Sequence, residues 1–206
     1  MTRTILITGA STGIGKATAH LLATEPDTQL IVTARRADRL EELVRTLPCK
    51  AMALPFDMRD TDAMEAAVEG LPAAWKSVDV LVNNAGLALG LSPFDTAEMA
   101  DWKTMIDTNI VGVLALTRAL LPGMKARQRG HVVNLSSIAG TYPYPGSNVY
   151  GASKAFISYL SLALRADLLG SPVRVTAIEP GMVDTDEFSQ VRFKGDADRA
   201  ASVYQG

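Results

Sequence analysis

Six short apolar runs alternate along the chain with five longer segments whose apolar residues recur at helical spacing. The short runs are unbroken apolar stretches, which is typical of strands that are buried on both faces. Strands that alternate with helices predict a parallel sheet, and right-handed crossovers then cover both of its faces with helices. We therefore predict an α/β fold with a doubly wound parallel sheet. The predicted strands are Thr4–Thr8, Gln29–Ala34, Ala51–Phe56, Val78–Asn83, His131–Ser136 and Val173–Ile178; the predicted helices are Ile14–Thr24, Arg36–Leu47, Thr61–Glu69, Glu98–Lys125 and Val149–Leu168.

Length and composition restrict the number of domains and the class of partner. The 206 residues suffice for one domain with a large core, so we predict a single domain over residues 1–206. A net charge of −2 provides no basic field to hold nucleic acid or an anionic membrane. Cys49 is the only cysteine, which rules out an internal disulfide and suits a reducing cytoplasm. Neither His20 nor His131 has partners at metal-ligand spacing, so we expect no metal site.

The alternation of strands and helices does not continue to the end of the chain. After the last predicted strand comes a polar stretch with room for one short helix, and no closing helix and strand follow. We therefore expect that a C-terminal part of the fold is absent from residues 1–206.

A glycine-rich stretch, TGASTGIG, follows the first strand and opens the first helix. Gly9, Gly13 and Gly15 would permit a tight turn and let backbone N–H groups approach a pyrophosphate closely. The positive end of the helix dipole would add to the attraction for an anion. The spacing differs from the commoner G-x-G-x-x-G, but its place between strand and helix predicts a Rossmann-like dinucleotide site.

The end of the second predicted strand indicates which dinucleotide is bound. An acidic residue there would bind the ribose 2′-hydroxyl of NAD, but the sequence has Arg35 and Arg36 instead. Arginine forks suit a phosphate, and two cations at a helix N-terminus are unfavourable unless an anion is present. The pair therefore predicts NADP as the cofactor.

Other strand ends bring polar groups to the same edge of the sheet. Asn83–Gly86 supplies amides and a glycine, which fit a ligand crevice or an ordinary turn. Asp57 ends the third run and would either cap a helix or meet the adenine. Ser136 ends the fifth strand and Ser137 follows it, and one of these hydroxyls could hold a substrate carbonyl oxygen.

Tyr150 and Lys154 are four residues apart in a predicted helix, which places them on one face. A nearby ammonium group favours the phenolate and so lowers the pKa of the tyrosine. A phenol with a pKa nearer neutrality can exchange a proton with a substrate hydroxyl. The other interpretation is a partly buried tyrosine beside a lysine whose head group reaches solvent.

Taken together, the segments TGASTGIG, NNAG, NLSS, YGASK and IEPG, in this order, resemble the short-chain dehydrogenase/reductase family. The resemblance implies that Tyr150 is the acid/base and that Lys154 lowers its pKa and holds the nicotinamide ribose. Ser137 would orient the substrate oxygen, and Asn109 would keep a water of the proton relay. The implied cofactor contacts are Gly9, Ser11, Thr12, Gly13, Ile14, Gly15, Arg35, Arg36, Asp57, Met58, Asn84, Ala85, Gly86, Tyr150, Lys154, Pro180, Gly181, Val183 and Thr185.

Longer segments, among them NNAGLALG, DWKTMIDTN and GSNVYGASKAF, are similar to one branch of that family, the NADP-dependent 3-hydroxy acid dehydrogenases. The branch implies a small anionic substrate, for which Arg192 is a candidate clamp beside Ser137 and Tyr150. Arg192 could equally be a solvated loop residue. The acidic side chains of Asp184, Asp186 and Glu187 would disfavour an anion nearby.

The resemblance therefore predicts a cytoplasmic enzyme that transfers a hydride between NADP(H) and a small 3-hydroxy acid or its 3-oxo or semialdehyde partner. It also implies a homo-oligomer, a tetramer or dimer. The absent C-terminal part would normally complete part of the substrate pocket and a subunit interface. Two alternatives remain: a broad ketone, sulfoacetaldehyde or 3-oxoacyl reductase, and a non-catalytic NADP-binding sensor or scaffold.

Overall fold

The structure, a computed structural model, describes residues 2–183, 185 and 187–202. The strands are β1 (Arg3–Thr8), β2 (Thr28–Thr33), β3 (Lys50–Ala53), β4 (Val78–Asn83), β5 (His131–Leu135) and β6 (Arg174–Ile178). The α-helices are α1 (Gly13–Leu22), α2 (Ala37–Thr46), α3 (Thr61–Glu69), α4 (Met99–Ile106), α5 (Gly112–Ala126), α6 (Asn148–Asp167), α7 (Phe188–Arg192) and α8 (Ala197–Ser202). A π-helical turn, Asp107–Val111, joins α4 to α5, and a 3₁₀ turn, Ile138–Gly140, follows β5.

The strands form one parallel sheet in the order β3-β2-β1-β4-β5-β6. In the centre of the sheet, Leu6 pairs with Ile31 on one side and Leu81 on the other. The strand order reverses between β1 and β4, since β2 and β3 lie to one side and β5 and β6 to the other. The predicted doubly wound Rossmann-like sheet is therefore confirmed, and the reversal leaves a crevice at the carboxyl ends of β1 and β4.

Successive residues of β1 face opposite layers of the core, as the pleat of a strand requires. Leu6 packs with α5 and α6 side chains such as Leu116 and Ile157, whereas Ile5 packs with Leu40 of α2. All of these side chains are buried, and each such burial stabilises the fold by about 1.5–3 kcal/mol. Burial on both faces explains why the strands appear as unbroken apolar runs in the sequence.

Two regions differ from the predicted elements. The single helix predicted over Glu98–Lys125 is divided by the π-helical turn Asp107–Val111. The polar C-terminal stretch was predicted to hold one short helix but holds both α7 and α8. The helical stretch Met99–Ala126 is apolar enough to span a membrane by length and composition, but its buried residues Val113, Leu116, Leu120 and Met124 belong to the main core cluster beside the sheet.

The predicted boundaries of the other elements agree with the observed ones within two residues, apart from the end of β3. That strand was predicted to reach Phe56 and ends at Ala53. Leu54 and Phe56 still donate backbone hydrogen bonds to β2 and the residue that follows it, but Pro55 between them has no N–H group. The irregular ladder leads the chain out of the sheet and towards the crevice.

Candidate active site

A cleft of about 990 Å³ lies over the carboxyl ends of the strands. It is lined by the turn after β1, the ends of β2, β4 and β5, the start of α6 and the segment after β6. Every residue that the sequence assigned to the cofactor or substrate lines this cleft, except Gly15. Asn109 lies behind the lining and reaches it through hydrogen bonds to the neighbouring loop.

The glycine-rich turn is shaped by positions at which a side chain could not fit. Gly9 has a φ of +64°, and a Cβ there would lie 2.9 Å from the Cα of Ala85. A Cβ on Gly15 would lie 2.4 Å from the carbonyl oxygen of Gly9. Thr12 precedes α1 with extended backbone and makes no side-chain cap, so the N–H groups of the first turn are left for another acceptor. This arrangement fits the pyrophosphate of a dinucleotide.

Thr8, which the sequence analysis did not select, ties this turn to the next strand. Its hydroxyl accepts hydrogen bonds from the backbone N–H groups of Asn84 at 3.0 Å and Ala85 at 2.8 Å. The Asn84 side chain donates to the carbonyl oxygens of Thr8 and Gly9, at 2.8 and 3.2 Å. The Asn84 amide is therefore used to hold the two walls of the cleft together. The only sequence signal for Thr8 was its place directly before the first glycine.

The two arginines after β2 differ in what they contact. Arg36 Nη2 donates to Glu187 Oε2 at 2.7 Å, and Arg39 forms a second ion pair with the other oxygen of Glu187. Burial raises the pKa of Glu187, but the hydrogen bonds from both arginines outweigh it and hold the pKa below its ordinary value. Arg35 lines the cleft, and its charge helps to lower the pKa of Asp57.

Arg35, Arg36 and Arg39 thus lie near the expected position of the ribose phosphate, and the carboxylate of Glu187 pairs with the last two. The net charge of this group is positive, which favours a phosphate. The expectation that the acidic segment would repel an anionic substrate is not met for Glu187, which points towards α2. Asp184 and Asp186, named in the same expectation, lie outside the described residues.

Asp57 neither caps a helix nor is left without a partner. Its carboxylate forms an ion pair with Arg59 at 2.6 Å, and the hydrogen bond from that guanidinium is the main cause of its lowered pKa. The N-cap of α3 is Asp60 instead, which accepts a hydrogen bond from the N–H of Ala63 at 3.0 Å. Asp57 therefore remains a polar group of the cleft wall.

Tyr150 lies in the first turn of α6 and is buried at the floor of the cleft. Burial raises the pKa of the phenol; a hydrogen bond with Ser137 and the positive charge of Arg192 act in the opposite direction. Ser136 also lines the cleft, but its hydroxyl donates to the carbonyl oxygen of Lys154 at 2.7 Å and lies 2.7 Å from Ser158 Oγ. Of the two adjacent serines, Ser137 is therefore the one that meets the tyrosine.

Lys154 lies over the ring of Tyr150, but its hydrogen bond goes to another group. Its Nζ lies 6.0 Å from the centroid of the Tyr150 ring and donates to the carbonyl oxygen of Leu135 at 2.9 Å. The groups that lower the pKa of the phenol are Ser137 and Arg192, and Lys154 is not among them. The lysine is itself almost wholly buried, and the loss of solvent lowers its pKa to about 8.

The buried ammonium group predicts how stability depends on pH. Below pH 8, Lys154 is protonated in both the folded and the unfolded state, and the desolvation penalty of the folded state is fully present. Between pH 8 and 10.5, only the unfolded state keeps the proton, so the free energy of unfolding should rise with pH. The rise should be on the order of 3 kcal/mol relative to Lys154→Met, in which other titrations cancel.

Urea unfolding of the wild type and Lys154→Met at several pH values between about 7 and 10 measures this difference. A difference in unfolding free energy that does not change with pH would contradict the lowered pKa of Lys154.

Asn109 lies within the π-helical turn and is buried. Its side-chain oxygen accepts from the N–H of Leu87 at 2.9 Å, and its amide donates to the carbonyl oxygen of Leu87 at 2.9 Å and to Ser153 Oγ at 3.0 Å. Ser153 in turn donates to the carbonyl oxygen of Tyr150 at 2.7 Å. The asparagine therefore fixes the loop after β4 against the helix that carries Tyr150.

Gly86 makes room between Lys154 and Asn109. A Cβ at this position would lie 3.2 Å from Lys154 Nζ and 3.3 Å from Asn109 Oδ1. The space that a side chain would occupy is thus bordered by a donor and an acceptor, which suits a water molecule.

Arg192 is buried rather than solvated, with 7% of its surface exposed. Its guanidinium lies 5.7 Å from the centroid of the Tyr150 ring and donates through Nε to the carbonyl oxygen of Gly90 at 3.3 Å. No carboxylate pairs with it among residues 2–183, 185 and 187–202. Phe188, one turn earlier in α7, packs its ring 5.9 Å from that of Tyr150. The short helix after β6 thus brings to the tyrosine an aromatic ring and a cation that has no carboxylate partner in the described part of the chain.

Comparison with known proteins gives a consistent picture. The family model described as short chain dehydrogenase matches residues 3–194. The NADP-dependent 3-hydroxy acid dehydrogenase YdfG of Salmonella typhi is 50% identical over 201 residues, which cover 98% of this chain and 81% of that protein. The serine 3-dehydrogenase of Agrobacterium fabrum is 50% identical over 206 residues, covering 100% and 82%. A closed form of serine dehydrogenase complexed with NADP⁺ superposes with a TM-score of 0.95 at 48% identity, covering 98% and 82%.

Proposed function

Since the chain belongs to the short-chain dehydrogenase family, we propose that residues 1–206 form an NADP-dependent oxidoreductase domain that acts on a small 3-hydroxy acid or the corresponding 3-oxo acid or semialdehyde. The observation that carries the substrate class is the buried Arg192 beside Tyr150, without a carboxylate partner in the described residues. A buried cation is costly unless an anion pairs with it, so the site favours a substrate with an acid group.

The residues around the cleft suit the cofactor that the relatives' names specify. The turn at Gly9 and Gly15 would hold the pyrophosphate, and Arg35 and Arg36 would hold the 2′-phosphate. The segment after β6, including Pro180, Gly181, Val183 and Thr185, would lie against the nicotinamide, and Lys154 would hold its ribose. When bound, the cofactor supplies or accepts the hydride.

The protein residues position the substrate and move its proton. Ser137 and Tyr150 hydrogen-bond the reacting oxygen, and Arg192 binds the acid group at the other end. In oxidation, Tyr150 accepts the hydroxyl proton; in reduction, it donates a proton to the carbonyl oxygen. Lys154 and Asn109, with a water beside Gly86, connect that proton to solvent.

A comparison of two substrates of matched size tests the proposal. We expect wild-type protein to reduce NADP⁺ with 3-hydroxypropanoate, and with 3-hydroxypropanamide at a much lower kcat/KM, because the amide carries no negative charge. Equal rates on both would support the broad reductase. The sensor or scaffold would be supported if the protein bound NADPH tightly but neither oxidised 3-hydroxypropanoate or 3-hydroxypropanamide nor reduced malonic semialdehyde or sulfoacetaldehyde.

Arg35→Ser tests whether Arg35 recognises the 2′-phosphate that distinguishes NADP⁺ from NAD⁺. Loss of a hydrogen bond to a charged group costs about 1.5–3 kcal/mol, so kcat/KM for NADP⁺ should fall roughly 10- to 150-fold. The value for NAD⁺ should change little, because NAD⁺ has no 2′-phosphate. Arg45→Ser, at the exposed far end of α2, is the matched control. A parallel loss with both cofactors would mean that Arg35 does not recognise the phosphate.

Assembly and location belong to the same proposal. We propose a homo-oligomer, a dimer or tetramer, because the outer faces of α5 and α6 expose large apolar side chains that include Leu114, Tyr159 and Leu162. Sedimentation equilibrium measures this, and a monomer at micromolar concentration would contradict it. The free thiol of Cys49 is compatible with a cytoplasmic location, which cell fractionation would test.

A further inference from the structure

The Arg192 guanidinium lies between two tyrosines rather than beside one. Its central carbon is 5.5 Å from the centroid of the Tyr144 ring and 5.7 Å from that of the Tyr150 ring. Its Nη2 also makes a hydrogen bond of 2.8 Å with the hydroxyl of Tyr144. The Tyr144 phenol is close enough to Tyr150 to contribute to the raised pKa of that residue. Tyr144 therefore borders the same small space as the groups proposed to bind the substrate.

The hydrogen bond between Arg192 and Tyr144 does not use the phenolic hydrogen of Tyr144. A guanidinium can only donate, so the Tyr144 oxygen is the acceptor and its own hydrogen remains to be donated. Within the part of the chain that the structure describes, no hydrogen bond from that hydroxyl is seen. A phenol that accepts from a cation is polarised and becomes a stronger donor.

The position of Tyr144 is set independently of Arg192. Tyr144 packs against the cluster of Ala88, Met105, Ala139 and Tyr150. Its carbonyl oxygen accepts from the N–H of Ser147 at 2.9 Å, and its N–H donates to Ser147 Oγ at 3.3 Å. Both backbone groups are thus tied to the residue that precedes α6, which makes the phenol a prepositioned donor.

We propose that Tyr144 is a specificity-determining residue that donates its phenolic hydrogen to the acid group of the substrate while Arg192 binds the same group as a cation. This inference rests on the proposed function, since it requires an acid group at Arg192. A carboxylate has acceptor sites for both donors, whereas a primary amide would direct N–H groups at one of them. The pair thus selects charge and hydrogen-bond pattern together.

The dimensions of a three-carbon acid agree with this arrangement. Two carbon–carbon bonds of about 1.5 Å each separate the carbon that bears the reacting hydroxyl from the carboxyl carbon. A substrate oxygen held by Tyr150 therefore has its acid group only a few ångströms away, in the region where Arg192 and Tyr144 converge.

Tyr144→Phe removes the donor and keeps the ring. We expect kcat/KM for 3-hydroxypropanoate to fall roughly 10- to 100-fold, mostly through KM, because a hydrogen bond to a charged group is lost before and during the reaction. The value for 3-hydroxypropanamide should stay within about twofold. Tyr142→Phe is the matched control, since Tyr142 lines the same cleft, is 69% exposed and makes no hydrogen bond with Arg192.

A second readout separates binding from folding. Propanoate, which carries the acid group without the reacting hydroxyl, should inhibit the wild type competitively and inhibit Tyr144→Phe with a Ki raised to a similar extent. The thermal midpoint of each variant should match the wild type. The role of Tyr144 would be overturned if Tyr144→Phe left kcat/KM for the acid unchanged, or if it lowered kcat/KM equally for the acid and the amide.

The outcome also distinguishes the two levels of the proposal. A wild type that does not prefer the acid to the amide would overturn both the proposed function and this inference. A wild type that prefers the acid, together with a Tyr144→Phe variant that keeps the full preference, would overturn the role of Tyr144 alone.

Discussion

Tyr150→Phe is expected to lower kcat by about 10²–10⁴-fold, the usual contribution of a positioned general acid or base. The substitution removes only the phenolic oxygen, so the packing of the ring against Phe188 should persist. Initial rates with 3-hydroxypropanoate and NADP⁺, together with the Kd of NADPH, measure the effect and should show intact cofactor binding.

Tyr159→Phe is the matched control for this experiment. Tyr159 lies on the same helix but is 74% exposed, and it is not part of the cleft lining. Its replacement should leave kcat unchanged. A Tyr150→Phe variant with wild-type turnover would show that the proton is transferred by another group, and the proposed chemistry would be wrong.

Arg192→Met is expected to lower kcat/KM for 3-hydroxypropanoate at least about 30-fold, since truncating one partner of a buried charge pair costs 2 kcal/mol or more. The amide should be affected far less. The loss of positive charge should also raise the pKa of Tyr150, because the Arg192 charge lowers it in the wild type. Oxidation requires the phenolate, so the rise of the rate with pH should move to higher pH.

Arg192→Lys and the pH profile separate electrostatics from packing. The lysine should restore part of the preference for the acid, because it keeps the charge but not the fork that reaches Gly90 and Tyr144. An equal loss with acid and amide in Arg192→Met, with an unshifted pH profile, would mean that the arginine only supports the loop.

The helices and strands around the sheet were predicted well from the sequence because the signals that define them are local. The helix Thr61–Glu69 was predicted with both ends correct, since Asp60 is a strong N-cap and Gly70 follows the last turn. The strand Val78–Asn83 was also predicted correctly, because a run that is buried on both faces has few other readings. Val78–Asn83 is β4, which borders the strand-order reversal together with β1.

Features that depend on distant contacts could not be predicted in the same way. The π-helical turn around Asn109 is one example, because the apolar period continues through it and its purpose is a contact with Leu87. The burial of Arg192 is another, since its partners Gly90 and Tyr144 lie 102 and 48 residues away in the sequence. A charged side chain in a polar stretch carries no local signal of whether distant parts of the fold will cover it.

The cationic neighbour of Tyr150 illustrates the same limit. Helical spacing placed Lys154 on the same face as the tyrosine, but spacing does not specify where a long side chain ends. Lys154 Nζ donates to the carbonyl oxygen of Leu135, and a second cation, Arg192 in a separate element, lowers the pKa of the phenol.

The most direct test of the account is the fate of the hydrogen on the reacting carbon. Wild-type protein is incubated with NADP⁺ and 3-hydroxypropanoate that carries two deuterium atoms at C3, and the reduced cofactor is analysed by mass spectrometry. Direct hydride transfer predicts NADPH that is one mass unit heavier than the unlabelled compound, formed at a rate that depends on Arg192 and Tyr150. NADPH without deuterium, or no reduction of NADP⁺ at all, would contradict the account.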